Sequence, residues 1–160
     1  PSSLLSTVSA LAAQNLGADK PERARQTLWD SIALALGCGV VAAIAIQFCA
    51  SGVVGLFTPD AATIAAGANY LRGYIFDCMF AGIHFCFSGY FCACGKSGLS
   101  FLHSILAIVL IRVPGAYLMS RLFPQTLLPM GLATAAGSLF SAILCTLLYL
   151  GLVRRDRRAS

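Results

Sequence analysis

The sequence predicts an all-α membrane protein that crosses the lipid bilayer several times. Hydrophobic residues make up 58% of the 160 positions and charged residues only 11%, and the mean hydropathy is +0.81. Soluble domains contain about 25% charged residues, so most of the surface of this chain must face lipid or a large partner. Long apolar stretches recur along the chain, and each exceeds the roughly 20 residues that a membrane-spanning helix needs.

The chain begins with an apolar stripe that is typical of the end of a helix. Apolar residues recur at helical spacing over residues 1–16, and Gly17 then predicts a helix stop. In the polar loop that follows, Pro21 and Glu22 suit the first turn of a new helix, because proline lacks an N–H and glutamate meets the positive helix end. The first complete span is predicted over residues 28–57.

Turn residues divide the remaining apolar sequence into three further spans. Thr58 is predicted to cap the second span, which covers residues 62–94, with Pro59 at its first helical position. The third span is predicted over residues 99–122 and the fourth over residues 127–153. The predicted architecture is therefore a polytopic bundle of one helix end and four complete transmembrane helices.

The distribution of basic residues predicts the orientation of these spans. Alternate boundaries of a four-span arrangement lie on the same side of the membrane, and one side carries most of the 11 lysine and arginine residues. Because cytoplasmic loops are enriched in basic residues, we expect the first loop, the turn after the second span and the tail 154–160 to be cytoplasmic, in a cytoplasmic-membrane protein. The basic residues on that side are Lys20, Arg23, Arg25, Lys96, Arg154, Arg155, Arg157 and Arg158.

Catalytic and metal-binding signatures are missing, so we expect neither an enzyme nor a bound cofactor or metal. The sequence has no nucleophile-elbow, zinc-protease or phosphate-loop motif. Cys92 and Cys94 are spaced C-x-C, which is not a recognisable zinc pattern, and we interpret the seven cysteines as buried, reduced and apolar in character. The net charge of +5 lies at membrane boundaries, which argues against nucleic acid as a partner.

One polar stripe interrupts the second span and marks a candidate site. His84 and Ser88 follow Asp77 by seven and eleven residues, which returns them to within about 20° of its direction on a helix. Tyr70 and Tyr74 lie close to the same face. Ionisable groups at this depth are costly unless they are solvated or paired. The stripe therefore predicts either a watery cavity in which Asp77 binds a proton or cation, or a structural carboxylate that a neighbouring helix satisfies.

Two arginines and a proline form a second set of candidates. Arg112 lies near the middle of the third span, two residues before Pro114, which opens the helix there. We interpret Arg112 first as a structural residue that bonds the freed carbonyls, and an ion pair with Asp77 is the alternative. Arg72 lies nearer the outer edge of the second span, where its side chain can extend to the interface as a structural anchor.

Several motifs resemble those of the MATE (multidrug and toxic compound extrusion) family. The stretch that contains Gln14, Asn15, Gly17, Pro21 and Arg23 resembles the family's Q-N-x-G-A-x-x-P-x-R-A loop. Further resemblances follow in the family's order and spacing, and together they extend over essentially the whole chain. They are Leu56-Phe57 with Tyr70-Leu71-Arg72, Gly89-Tyr90-Phe91 to Gly95-Lys96-Ser97, Arg112-Val113-Pro114 to Ser120, and Gly131-Leu132-Ala133.

This resemblance implies a fold of twelve helices in two six-helix lobes around a central cavity. Residues 1–160 would then form a partial C-terminal lobe, the end of helix eight and helices nine to twelve, with the N-terminal lobe as partner. The resemblance also implies antiport, in which H⁺ or Na⁺ is exchanged for cationic or amphipathic drugs, with membrane lipids and a small-molecule substrate as the other partners. Some members carry a functional acid in helix ten, which would lie near Ala81 here, one turn from Asp77.

Other functions are compatible with the sequence. A lipid-linked sugar flippase of the same superfamily would need a more cationic cavity, for which Arg112 alone is thin support. A membrane interaction fragment that does not transport would have no substrate cavity, and Asp77 would not affect its activity. An intramembrane enzyme would need Asp77 and His84 to act together, and full activity after a change at His84 would exclude it.

Overall fold

The described part of the chain folds into six α-helices and one π-helical segment. A computed structural model describes residues 2–123 and 126–159, with side chains as far as Arg154. Four helical stretches within these residues are long and apolar enough to cross a membrane, which confirms the predicted all-α polytopic architecture. The elements are α1 (Ser2–Gly17), α2 (Pro21–Gly55), α3 (Ala61–Ala93), α4 (Ser97–Ala107), the π segment (Ile108–Arg112), α5 (Val113–Leu122) and α6 (Leu128–Ala159).

The four membrane-crossing stretches follow the predicted spans, with shifted ends. Helix α2 begins at Pro21 instead of residue 28, because Pro21 and Glu22 form its first turn, as their sequence predicts. Helices α4 and α5 are joined through the π segment into one stretch, Ser97–Leu122. Helix α6 continues to Ala159, so the tail extends the last helix. Residues 124 and 125, between the third and fourth predicted spans, and the basic side chains beyond residue 154 lie outside the described residues.

A Schellman motif ends α1, and it uses an aspartate where glycine is usual. Asp19 has a φ of 56°, in the left-handed region that aspartate tolerates better than most residues. The amide of Lys20 donates to the carbonyl of Asn15 at 2.9 Å, and the amide of Asp19 donates to that of Leu16 at 3.0 Å. These bonds satisfy two carbonyls at the helix end. The helix therefore stops at Gly17 as predicted, but the left-handed residue is Asp19.

Asp60 caps α3, and the prediction that Thr58 does so is wrong. The Asp60 Oδ2 atom accepts hydrogen bonds from the hydroxyl of Thr63 and from its backbone amide, the latter at 2.9 Å. Both bonds stabilise the carboxylate and lower the pKa of Asp60 below its ordinary value. The Thr58 hydroxyl instead accepts from the Asp60 amide at 3.3 Å. Helix α3 starts at Ala61 rather than at Pro59 because the Asp60 carboxylate reaches an amide of the first turn.

Gly95 ends α3 and turns the chain into α4, as the sequence predicts. Its φ is +70°, which glycine adopts without the steric cost of a Cβ. The amide of Lys96 donates to the carbonyl of Phe91 at 2.8 Å, and that of Gly95 donates to Cys92 at 3.0 Å. This second Schellman motif places the start of α4 directly beside the end of α3.

Helix α3 lies at the centre of the bundle and contacts α1, α2, α4 and α6. Its C-terminal half buries Phe87 and Phe91 against Val8 of α1, Leu28 of α2 and Cys145 of α6. This apolar cluster fixes the position of α3 among its neighbours, and the preceding turns of α3 then carry the polar stripe toward α6.

Helix α2 exposes much of its apolar surface. Leu34 is 62% exposed and Phe48 is 83% exposed, as expected of side chains that face lipid. None of the seven cysteines, all of which lie within the described residues, forms a disulfide. The expectation that they are buried is wrong for Cys38 and Cys49, which lie exposed on α2, because a membrane-facing helix surface accepts a weakly polar thiol as readily as a protein core does.

Candidate functional site

A buried ion pair connects α3, the π segment and α6 at the polar stripe. The Nη2 atom of Arg112 lies 2.7 Å from Oδ1 of Asp77. The Ser138 hydroxyl lies 2.6 Å from both atoms: it accepts from Arg112 and donates to Asp77. Asp77 is only 4% exposed and Ser138 only 1%. The carboxylate is therefore held by one charged and one neutral donor, which is the pairing that a buried charge requires.

The local structure around Pro114 positions the Arg112 side chain. Pro114 cannot donate to the carbonyl four residues before it, and the preceding turn is widened into the π segment, in which the Val113 amide donates to the carbonyl of Ile108. On α6, the absence of a side chain at Gly137 leaves room for the arginine. A Cβ added there would lie 2.5 Å from the Arg112 Cγ atom.

The guanidinium of Arg112 binds Asp77 and Ser138 rather than the carbonyls that Pro114 frees. The favoured sequence interpretation of Arg112, as a residue that bonds those carbonyls, is therefore wrong, and the alternative ion pair is the observed arrangement. The attraction of a buried carboxylate outweighs that of backbone carbonyls, because a charged acceptor forms a stronger hydrogen bond than a neutral one.

Beside the ion pair lies a cavity of about 410 Å³, which is within the usual size range of small-molecule sites. Its wall combines aromatic and apolar side chains with a few polar groups from α3, α4 and α6. Ala81, the position to which the family resemblance assigns a functional acid, lines the same cavity as Asp77. The lining residues are Ser2, Tyr74, Asp77, Cys78, Ala81, His84, Phe85, Ser104, Ala107, Ile108, Arg112, Gly137, Ser138 and Ser141.

A second polar network joins α3, α4 and α6 closer to the α3–α4 turn. His103 of α4 is fully buried. Its Nε2 atom lies 2.8 Å from the Ser88 hydroxyl of α3, and its Nδ1 atom lies 2.6 Å from the Ser141 hydroxyl of α6. Ser88 is also 2.7 Å from the hydroxyl of Ser100. Both ring nitrogens of His103 are thus used to hold helices together.

The structure brings some members of the predicted stripe to the cavity and leaves others outside it. Tyr74, Asp77 and His84 line the cavity. Tyr70 lies outside the wall, with its ring stacked on that of Tyr74 at a centroid distance of 5.6 Å. Ser88 belongs to the His103 network, because it lies eleven residues along the helix from Asp77, beyond the end of the cavity.

The remaining candidates lie away from the cavity. Arg72 is half-buried on α3, where its carbonyl accepts from Gln47 of α2 at 3.4 Å. The loop-motif residues lie at the connection of α1 and α2. Within it, the Asn15 side chain donates to the carbonyl of Leu11 at 2.8 Å, and the carbonyl of Arg23 accepts from the Thr27 hydroxyl at 2.9 Å. Gln14, Gly17, Pro21 and Arg23 are exposed there.

Sequence reasoning missed the two serines of α6 that complete both networks. Ser138 binds the ion pair and Ser141 binds His103. They are three residues apart, so they lie on one face of an otherwise apolar helix. That spacing was the available signal, although serine is too common in membrane helices for its identity alone to indicate a site.

The groups in the cavity can bind a small molecule and can exchange one positively charged partner of Asp77 for another. Asp77 can hold a proton or a cation in place of Arg112, and the serines and His84 can form hydrogen bonds with a bound molecule. Among the described residues, no group of three or more histidine, cysteine, aspartate or glutamate side chains is placed to hold a metal ion.

Comparison with known proteins identifies the family. The family profile described as MatE matches residues 1–118, which includes α1 to α4, the π segment, Asp77 and Arg112. No curated protein and no solved structure matches the chain. The match covers 118 of the 160 residues and agrees with the motif resemblance. The chain therefore belongs to the MatE family, the MATE transporters.

Proposed function

We propose that this chain is part of a cation-coupled antiporter that exports small organic compounds, many of them cationic, in exchange for H⁺ or Na⁺. Family membership makes it a MATE-family transporter, a class of transport proteins rather than enzymes. The observation that carries the finer proposal is the buried carboxylate of Asp77, which lies at the wall of the cavity with Arg112 as its counter-ion. A carboxylate in a membrane cavity is the usual binding group for a proton or cation.

Competition for Asp77 provides a physical basis for exchange. In the observed arrangement, Arg112 and Ser138 occupy the Oδ1 atom of the carboxylate. A proton or Na⁺ that binds Asp77 removes the attraction that holds Arg112, and a cationic substrate requires the same negative charge. Ligands that compete for one group oppose each other's binding reciprocally, so the coupling ion displaces the substrate, which is the requirement for antiport.

The charge balance of the cavity supports antiport over a lipid-linked sugar flippase. A cavity that binds phosphates would need unpaired positive charge, whereas the charge of Arg112 is balanced by Asp77 at 2.7 Å. The wall otherwise consists of neutral polar, aromatic and aliphatic side chains, which suit amphipathic organic compounds. The cavity also argues against an interaction fragment that does not transport.

We place the transporter in the cytoplasmic membrane, with the α1–α2 loop, the α3–α4 turn and the C-terminus on the cytoplasmic side. The basic residues of these segments support that orientation. The proposed partners are membrane lipids, which suit the exposed apolar face of α2, and an N-terminal lobe that completes the substrate cavity. The chain would then be a C-terminal lobe from helix eight onward.

Efflux measured in cells without their own drug pumps tests the proposal. The transporter, expressed from its whole gene, is compared with the variants Asp77→Asn and Asp30→Asn. Asp30 is an exposed acid near the start of α2, so the same chemical change there is a matched control. We expect Asp77→Asn to abolish proton- or sodium-driven efflux at normal protein levels, and Asp30→Asn to retain it. Undiminished efflux by Asp77→Asn would contradict the role of Asp77, and no efflux by the parent would contradict drug export.

A further inference from the structure

We propose that His84 forms a hydrogen-bonding subsite within the cavity, which binds an uncharged hydroxyl, amide or aromatic amine group of an aromatic substrate. This inference rests on the proposed export function and adds a substrate class to it. Asp77 would select for positive charge, whereas His84 would select for a neutral polar group on the same class of compound.

The main observation is an unsatisfied nitrogen. His84 is 9% exposed and lines the cavity. Its Nδ1 atom is buried and has no hydrogen-bond partner among the described residues. Buried polar atoms are satisfied in the great majority of cases, and an unpaired one is costly. Nδ1 has almost no accessible surface, so a ligand group pairs with it once the ring turns toward the cavity that His84 lines, and that hydrogen bond removes the cost of the unpaired atom.

His103 provides an internal comparison. The two imidazole rings lie 5.7 Å apart, so they share one environment between α3, α4 and α6. Both nitrogens of His103 are bonded to serines, at 2.8 and 2.6 Å. The bundle thus supplies protein partners to the histidine that holds helices together and supplies none to Nδ1 of the histidine at the cavity.

The chemistry of the subsite follows from the imidazole and its neighbour. A neutral imidazole has one N–H donor and one acceptor nitrogen, and hydroxyl, amide and aromatic amine groups can serve either. The Phe85 ring lies 4.6 Å from that of His84, at an interplanar angle of 35°, and it also lines the cavity. The Phe85 ring thus adds an aromatic surface beside the imidazole, against which a ring of the substrate can pack.

The subsite is separate from the ion pair. His84 follows Asp77 by seven residues in α3, which corresponds to about 10 Å along a helix. A substitution at His84 therefore leaves Asp77, Arg112 and Ser138 in contact. Loss of the subsite should change which compounds are exported, while export remains coupled to H⁺ or Na⁺ through Asp77.

Two aromatic cations distinguish the subsite from the general cavity. Ethidium carries aromatic amine groups, whereas tetraphenylphosphonium carries the same charge and no hydrogen-bonding group. The experiment measures efflux of both probes by the whole transporter and by the variants His84→Phe and His84→Asn. Phenylalanine keeps a ring of similar size, and asparagine keeps a polar atom near the position of Nδ1.

We expect His84→Phe to lower the ratio of ethidium to tetraphenylphosphonium efflux about fivefold, the change that one hydrogen bond to a neutral group produces. His84→Asn should restore most of the ratio. An unchanged ratio in His84→Phe, equal loss of both probes, or an asparagine variant as poor as phenylalanine would overturn the subsite.

Efflux of the two probes by the unmodified transporter distinguishes the subsite proposal from the proposed export function. Export of tetraphenylphosphonium without ethidium would overturn the subsite and leave the proposed export function standing. Export of neither probe would overturn both proposals. Export of both, with the expected ratio change at His84, would support the subsite.

Discussion

At the scale of single residues, Asp77 is placed where a charge is costly and is balanced by a side chain from another helix. The Asp77 side chain is 6% exposed and that of Arg112 is 34% exposed. Removal of one partner of a buried pair leaves the other charge unbalanced, and that loss exceeds the net contribution of the intact pair. A change of either member alone should therefore destabilise the folded protein.

Arg112→Leu should destabilise the folded protein by about 1–3 kcal/mol, less than for a fully buried pair because Arg112 is partly exposed. It leaves the Asp77 carboxylate with only the Ser138 hydroxyl. The double variant Arg112→Leu with Asp77→Asn should recover much of this loss, because asparagine carries no charge. Thermal unfolding of the purified transporter in detergent measures both effects. A double variant no more stable than Arg112→Leu would contradict a stabilising role for the pair.

At the scale of helices, the crossing of α3 and α6 depends on two facing glycines. A Cβ added to Gly73 would lie 2.7 Å from the carbonyl oxygen of Leu128, and one added to Gly131 would lie 2.7 Å from that of Tyr70. The two backbones are thus in direct contact, which small residues permit between membrane helices. This crossing carries Ser138 and Ser141 of α6 to the polar groups of α3.

Gly131→Ala should separate α3 and α6 and lower stability by about 1–3 kcal/mol, the typical cost of overpacking. Gly151→Ala is the matched control, since that glycine lies on the same helix with nothing within 4 Å of an added Cβ. Thermal unfolding and efflux of the two variants provide the comparison. If both alanine variants behave like the parent, the close crossing is not required.

Pro114 and the π segment set the rotation of Arg112. A π turn contains one residue more than a turn of α-helix. If the π segment became regular α-helix, the residues before it would rotate by about 100° about the helix axis. Pro114→Ala restores a backbone donor and favours that change, which would turn Arg112 away from Asp77. We therefore expect the rate of efflux to fall about tenfold, which corresponds to a free-energy change of about 1.4 kcal/mol. Pro59→Ala, in the exposed α2–α3 connection, is the control. Parental efflux by Pro114→Ala would show that the proline does not position Arg112.

At the scale of the whole molecule, orientation rests on the basic residues at alternate helix ends. The α1–α2 loop and the α3–α4 turn lie at one end of the bundle, and the α2–α3 connection lies at the other, because successive spans run in opposite directions. The exposed thiols of Cys38 and Cys49 would react with labels, so they are replaced by alanine, with the other cysteines, before any topology measurement.

Single cysteines then report the orientation. Thr58→Cys should react with a membrane-impermeant maleimide in intact cells, whereas Ala18→Cys and Ser97→Cys should react only after the membrane is opened. The expectation follows from the excess of basic residues on the proposed cytoplasmic side. Labelling of Ala18→Cys in intact cells, with protection of Thr58→Cys, would show the opposite orientation.

The sequence by itself determined the helical architecture, the main connections and the polar stripe. Membrane spans follow from apolar stretches, because every backbone polar group in lipid must be bonded within its own helix. The stop at Gly17 and the turn at Gly95 follow from residues a few positions apart. Asp77 and His84 share a face because helical periodicity is a local property.

Tertiary structure alone decided which side chains meet. Asp77 is 35 residues from Arg112 and 61 from Ser138, and their contact depends on the α3–α6 crossing and on the π segment. The same crossing satisfies both nitrogens of His103 and leaves Nδ1 of His84 unpaired, although both residues are histidines in apolar helices. Periodicity places a side chain on a face of its own helix, whereas the rotation and spacing of neighbouring helices determine its partner.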